Sequence, residues 1–168
     1  MTKLELEGDY PNLSIQSGKL NVGAEDESLI GFSLGALVAL RDWNGKGKLI
    51  LINPPLPRRS IFTWLFNWVR YILAEGLFRK QQKFTKNPFK YVLEIAQCVK
   101  LLRIDFSKRL SSIPKEKLIM IRGKKDNFFC DDRAVQFVRA KGFQVIEVKN
   151  CGHNWCEALE KEISKFIN

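Results

Sequence analysis

Three short runs of apolar, mostly branched residues, each stopped by turn residues, constrain this chain more than any other feature. Lys48-Leu-Ile-Leu-Ile52 halts at Asn53-Pro54-Pro55, Lys117-Leu-Ile-Met-Ile121 breaks at Gly123, and Gln144-Val-Ile-Glu-Val148 precedes Cys151-Gly152. Runs of this length between breakers read as buried strands. A fourth run, Ser28-Leu-Ile-Gly-Phe32, ends at Ser33. Helical spacing fills the intervals. Leu34, Leu37, Val38 and Ala39 predict a helix closing near Asn44-Gly45. Val135 and Val138 predict another, capped by Asp131 or Asp132, running through Ala140 and ended by Gly142. Trp155, Leu159, Ile163 and Phe166 fall on one face of a last helix. Alternating strand and helix units predict an α/β fold with a parallel sheet.

The 168 residues suit a single domain, expected over 1–168, and 45% hydrophobic with 27% charged residues fits a soluble globular chain. No stretch reaches the roughly 18 consecutive apolar residues of a membrane span. Met1-Thr-Lys-Leu-Glu-Leu-Glu7 lacks the basic-then-apolar pattern of a signal peptide, so a cytoplasmic protein is expected. Cys98, Cys130, Cys151 and Cys156 are too few and irregular for a secreted disulfide framework, and reduced thiols are expected. Cys151-Gly-His-Asn-Trp-Cys156 sets a histidine between two thiols, but the spacing is unlike paired zinc patterns and no fourth ligand stands nearby. Neither a metal nor a cofactor is expected.

Gly31-Phe32-Ser33-Leu34-Gly35 is G-x-S-x-G at a strand-to-helix junction. A sharp turn there needs small neighbours, because the serine backbone is strained and crowded. The turn lifts the hydroxyl off the sheet and points the first helical amides, chiefly that of Leu34, at a developing oxyanion. Asp126 follows the strand ending near Ile121, on the edge where a parallel sheet gathers its active-site loops. Asp131 and Asp132 compete for that role but are better explained as helix caps. His153 is the only histidine, and a nucleophilic serine needs a base near neutral pKa. Ser33, Asp126 and His153 are thus the candidate catalytic residues, in that chain order.

From about Ser28 onward these motifs resemble an α/β-hydrolase, in its carboxyl-terminal half. The resemblance implies a three-layer, mostly parallel sheet with a helical cap insertion, here at about 58–110. It implies Ser33 as nucleophile, His153 as the base that takes and returns the proton, and Asp126 as its orienting acid. Upstream the pattern departs. Only 32 residues precede Ser33, without the His-Gly loop that normally supplies a second oxyanion donor. A remnant strand at Leu13–Gln16 followed by a loop at Ser17-Gly18 makes the Ser17 amide the substitute candidate.

The insertion also holds most of the charge. Of a net +10, residues 58–110 contribute 12 Lys/Arg against 3 Asp/Glu. Ile61 to Leu73 suits a very apolar helix, and a second is expected from Tyr91 to about Ile104. Three readings stand: a solvated cap; an acyl-binding lid, lined by Trp64, Phe66, Trp68 and Phe78, whose bases attract an anionic substrate or membrane; and a nucleic-acid surface, which no recognised motif supports. Phe32, Trp64 and Trp68 are the candidate substrate contacts. Three functions follow: an enzyme cleaving a small-molecule ester or thioester, a degenerate hydrolase that only binds, and a membrane or nucleic-acid binder acting through Arg79, Lys80, Lys83 and Lys86. A sheet short of outer strands could also pair into a homo-oligomer.

Overall fold

The computed structural model describes residues 16–22, 26–74 and 96–166. Its five strands lie in the order β1 (Gln16–Val22), β2 (Asp26–Phe32), β3 (Leu49–Ile52), β4 (Leu118–Gly123) and β5 (Gln144–Val148). Strands β2 to β5 run parallel, with Leu29, Leu49 and Leu118 side by side. Strand β1 turns back antiparallel along the outer side of β2. The helices are α1 (Leu34–Asp42), α2 (Ile61–Ala74), α3 (Ser107–Ser111), α4 (Asp132–Ala140) and α5 (Glu157–Ser164), with a further helical stretch at 96–102.

Period-two alternation sorts the central strands into two cores. Leu49, Leu51, Leu118 and Met120 face Leu37 and Leu40 of α1, Leu110 of α3, and Val135 and Val138 of α4. Ile30, Phe32, Ile50, Ile52, Ile119 and Ile121 face the opposite way, toward Leu159 and Ile163 of α5. Strands added in one direction with crossovers of one hand place their connecting helices on one face, and α1, α3 and α4 share it. Strands β3 and β4 are buried throughout, as covering on both faces requires. Strand β5, polar at its start, is only partly buried. The result is a three-layer α/β fold.

Most elements lie within two residues of their expected limits, with four differences. The last helix starts at Glu157; Trp155 precedes it in the loop and still packs on the second core. The second insertion helix, expected from Tyr91, is described only at 96–102; its start at 91–95 lies outside the described residues, as do Phe78, Arg79, Lys80, Lys83 and Lys86. No loop begins at Ser17: it belongs to β1 opposite Gly31, because the chain from Gln16 closes an antiparallel ladder on β2. Finally, Cys151 and Cys156 form a disulfide, against the expectation of four reduced thiols. A left-handed residue, Asn150 (φ 62°), enters the loop that curls their Cα atoms to 6.6 Å apart. Cys98 and Cys130 are buried and take no part in that disulfide.

Candidate active site

Gly31 allows α1 to lie directly on β2. A Cβ on Gly31 would stand 2.4 Å from the Gly35 carbonyl oxygen and 2.5 Å from the Ala36 Cα, closer than real contacts permit. Between them Ser33 takes φ 54°, ψ −122°, a left-handed conformation that side chains other than glycine rarely adopt. Its amide donates to the Ile52 carbonyl at 2.8 Å, pinning the elbow to β3. Leu34, the first residue of α1, carries one of the amides that a helix start leaves without an intrahelical partner.

Two further loops meet Ser33 at the same sheet edge. Gly123 ends β4, and a Cβ there would lie 2.1 Å from the Gly152 carbonyl oxygen, so only glycine lets the loops after β4 and β5 touch. The Lys125 amide donates to the Cys151 carbonyl at 2.7 Å across that contact. His153 Nδ1 lies 2.6 Å from Asp126 Oδ2, and His153 Nε2 lies 2.9 Å from Ser33 Oγ. The structure therefore joins the three expected residues in one hydrogen-bonded chain, with Asp126 fully buried and Ser33 and His153 nearly so.

Burial alone would push the Asp126 carboxyl up. The opposing hydrogen bond and charge of His153, with the amides of Phe129 and Phe128, outweigh it and hold the carboxyl below its usual range. Those two amides donate to Oδ1 at 3.1 Å each, and the Cys130 amide donates to Oδ2 at 3.2 Å. The Cys130 thiol beside it is pushed up strongly, first by burial and then by the Asp126 charge, which leaves it a poor nucleophile. Asp131 caps α4, accepting from the Arg133 and Ala134 amides, and also pairs with Arg59. Asp132 pairs with the buried Arg122. Neither competes for the histidine.

Asn53 carries a role that the sequence reading missed. It is wholly buried, at φ 46°. Its Nδ2 donates to the carbonyls of His153 at 2.8 Å and Gly152 at 3.2 Å, while its Oδ1 accepts from the Gly123 amide at 2.8 Å. One side chain thus ties the ends of β3 and β4 to the histidine loop. The only sequence signal was an asparagine at a strand end, a residue type that tolerates left-handed backbone.

A cavity of about 320 Å³ opens over Ser33 and His153, lined by Leu34, Pro55, Ile61, Trp64, Leu65, Trp68, Tyr71, Cys98, Val99, Leu102 and Phe129. Trp64 and Trp68 are among these lining residues. Phe66 is not, for it lies on the outer side of α2, 63% exposed. Phe32 is not either. It shares the Ile30 face of β2 and packs edge-on against Trp155, with its ring 5.8 Å from that of His153, so it supports the imidazole from below. Phe129 (4.6 Å) and Tyr71 (5.6 Å) complete the aromatic surround of the imidazole. Among the described residues no cluster of His, Cys, Asp or Glu is set to hold a metal ion, and none of their helices is long and apolar enough to cross a membrane.

No protein-family model matches the sequence, and no curated protein matches it. Solved structures do resemble the fold. A carboxylesterase of the ammonia-oxidising thaumarchaeon Nitrososphaera gargenis is similar over 82% of this chain and 61% of its own, at 14% identity and a TM-score of 0.54. An esterase of Pyrococcus furiosus is similar over 86% of this chain and 53% of its own, at 19% identity and a TM-score of 0.53. The fold is that of an α/β-hydrolase. The chain spans less than two thirds of these α/β-hydrolase structures. At this identity the likeness speaks for the fold alone; within it, the elbow, acid loop and histidine loop come together at the strand ends as described above.

Proposed function

We propose that this α/β-hydrolase is a serine hydrolase cleaving an ester or thioester through Ser33, His153 and Asp126. The observation that carries the reading is the continuous chain from Asp126 through His153 to Ser33 at the floor of an apolar cavity. As Ser33 Oγ attacks the carbonyl carbon, His153 Nε2 takes the hydroxyl proton, and Asp126 stabilises the imidazolium through Nδ1. The Leu34 amide at the start of α1 faces the oxyanion. Collapse expels the alcohol or thiol, which takes the proton back from Nε2, and leaves an acyl-enzyme. Water, deprotonated by the same nitrogen, then attacks the acyl carbon, releases the acid and restores Ser33. Trp64, Trp68 and Leu102 favour an apolar acyl group over a polar one.

A fluorophosphonate probe tests this directly. Labelling of wild type, absent in Ser33→Ala and reduced at least a hundredfold in His153→Ala, is expected. A folded wild type that takes no label would refute the hydrolase and leave a binding protein on the same fold.

A further inference from the structure

The outer face of α2 is apolar, and none of the described residues covers it. Phe62, Phe66, Val69 and Leu73 recur at spacings of four, three and four, a single helical stripe. Phe62 is 83%, Phe66 63% and Leu73 65% exposed. A contiguous patch of this kind on a folded surface marks a contact with something apolar. The helix is anchored where it stands. Trp64 is buried on the opposite side, Asn67 Nδ2 donates to the Phe128 carbonyl at 2.7 Å, and the Tyr71 hydroxyl donates to Asn154. One side of α2 thus lines the cavity over Ser33 while the other faces outward.

Charge decides what fits that stripe. Residues 57–74 and 96–105, which contain α2 and the helical stretch across the cavity from it, hold Arg58, Arg59, Arg70, Lys100 and Arg103 against one acid, Asp105, whose charge reaches Arg58. Arg59 is occupied by Asp131 and Arg58 is partly offset by Asp105, whereas Arg70, Lys100 and Arg103 are exposed. Arg70 rises from the stripe itself, its guanidinium over the Phe66 ring at 5.7 Å. A second copy of the chain would set these bases against their own kind. Anionic headgroups match them, and the acyl boundary beneath takes phenylalanine and leucine side chains.

We propose that α2 docks on the surface of an anionic phospholipid bilayer. Resting on the hydrolase reading, the cavity behind the helix then takes the acyl chain of a lipid ester drawn from that surface. Co-sedimentation of the full chain with vesicles of equal phosphatidylcholine and phosphatidylglycerol, beside phosphatidylcholine alone, tests the docking. Wild type should pellet with the anionic vesicles, less so at high salt. Arg70→Gln should weaken partitioning about fivefold, as expected for one base at a charged surface. The double variant Phe62→Ser/Phe66→Ser should weaken it by about tenfold or more. Both variants should keep fluorophosphonate labelling, which shows that they fold. Absence of wild-type binding, or equal binding to both vesicle types unaffected by either variant, would overturn the proposal. So would a dimer by light scattering that the double variant dissolves, since a second copy would then cover the stripe. Vesicle binding by a wild type that takes no label would uphold the docking and refute only the lipid-ester hydrolysis.

Discussion

Replacing Asn53 separates a residue that merely ends a strand from one that holds the histidine loop. Asn53→Ala removes three side-chain hydrogen bonds. It leaves the Gly123 amide and the His153 carbonyl without those partners at a buried site, at about 1–3 kcal/mol each. Alanine at φ 46° also carries a left-handed penalty of about 1–2 kcal/mol. The expected loss, by urea denaturation, is about 3–5 kcal/mol, discounting for partial relaxation. Asn53→Asp is the sharper probe. It keeps the shape and the acceptor for Gly123, but turns a carboxylate oxygen toward the two carbonyls that Nδ2 served. Burial and those carbonyls raise the pKa of the introduced carboxyl above its unfolded value of about 3.9. The destabilisation is then full at neutral pH and shrinks as pH falls through the raised folded value, where the protonated acid donates to the His153 carbonyl. In both variants, while still folded, fluorophosphonate labelling should slow about a hundredfold, because a displacement of about 1 Å at a catalytic group has that effect. The reasoning is refuted if Asn53→Asp matches wild type at neutral pH, or if its deficit does not narrow in acid.

Asp126 gives a pH dependence of the opposite sign. Its carboxyl is held below its usual range, so its contribution is complete above about pH 3.9 and is lost as pH falls through the lower folded value. Asp126→Asn should therefore flatten the fall in unfolding free energy below about pH 4, followed by urea midpoints across an acid series. Gly31→Ala forces a Cβ onto the backbone of α1 and should cost about 3 kcal/mol or more, read as a lowered melting temperature or as insoluble protein. Thiol titration of the denatured, unreduced chain should find only Cys98 and Cys130 reactive, with Cys151 and Cys156 appearing after reduction.

Particular residues mark what could be read from the chain. Leu49–Ile52 and Leu118–Ile121 betrayed themselves because a strand buried on both faces has no room for polar residues. Ser33, Asp126 and His153 were found by lying just past strand ends, where a parallel sheet must place its loops. Phe32 was misplaced by proximity in sequence. Alternation along β2 puts its side chain with Ile30, on the face away from the cavity. The work of Asn53 was hidden because its partners lie 70 to 100 residues away. The disulfide was hidden because a separation of five residues does not show whether the segment between two cysteines folds back on itself, as it does here to 6.6 Å between their Cα atoms. Ser17 looked like a loop because serine and glycine together usually break a strand, whereas pairing with β2 overrides that preference.

The strand order has a kinetic side. Each described strand lies beside its neighbour in sequence, so this sheet can grow by accretion, one unit at a time, without waiting for a distant segment to thread between finished strands. Ser33 follows the first parallel strand and His153 lies in the loop after the last, 120 residues on. During refolding most of the helical signal should return before any label can be taken up. The contact between Ser33 and His153 thus reports the joining of the two ends of the parallel sheet.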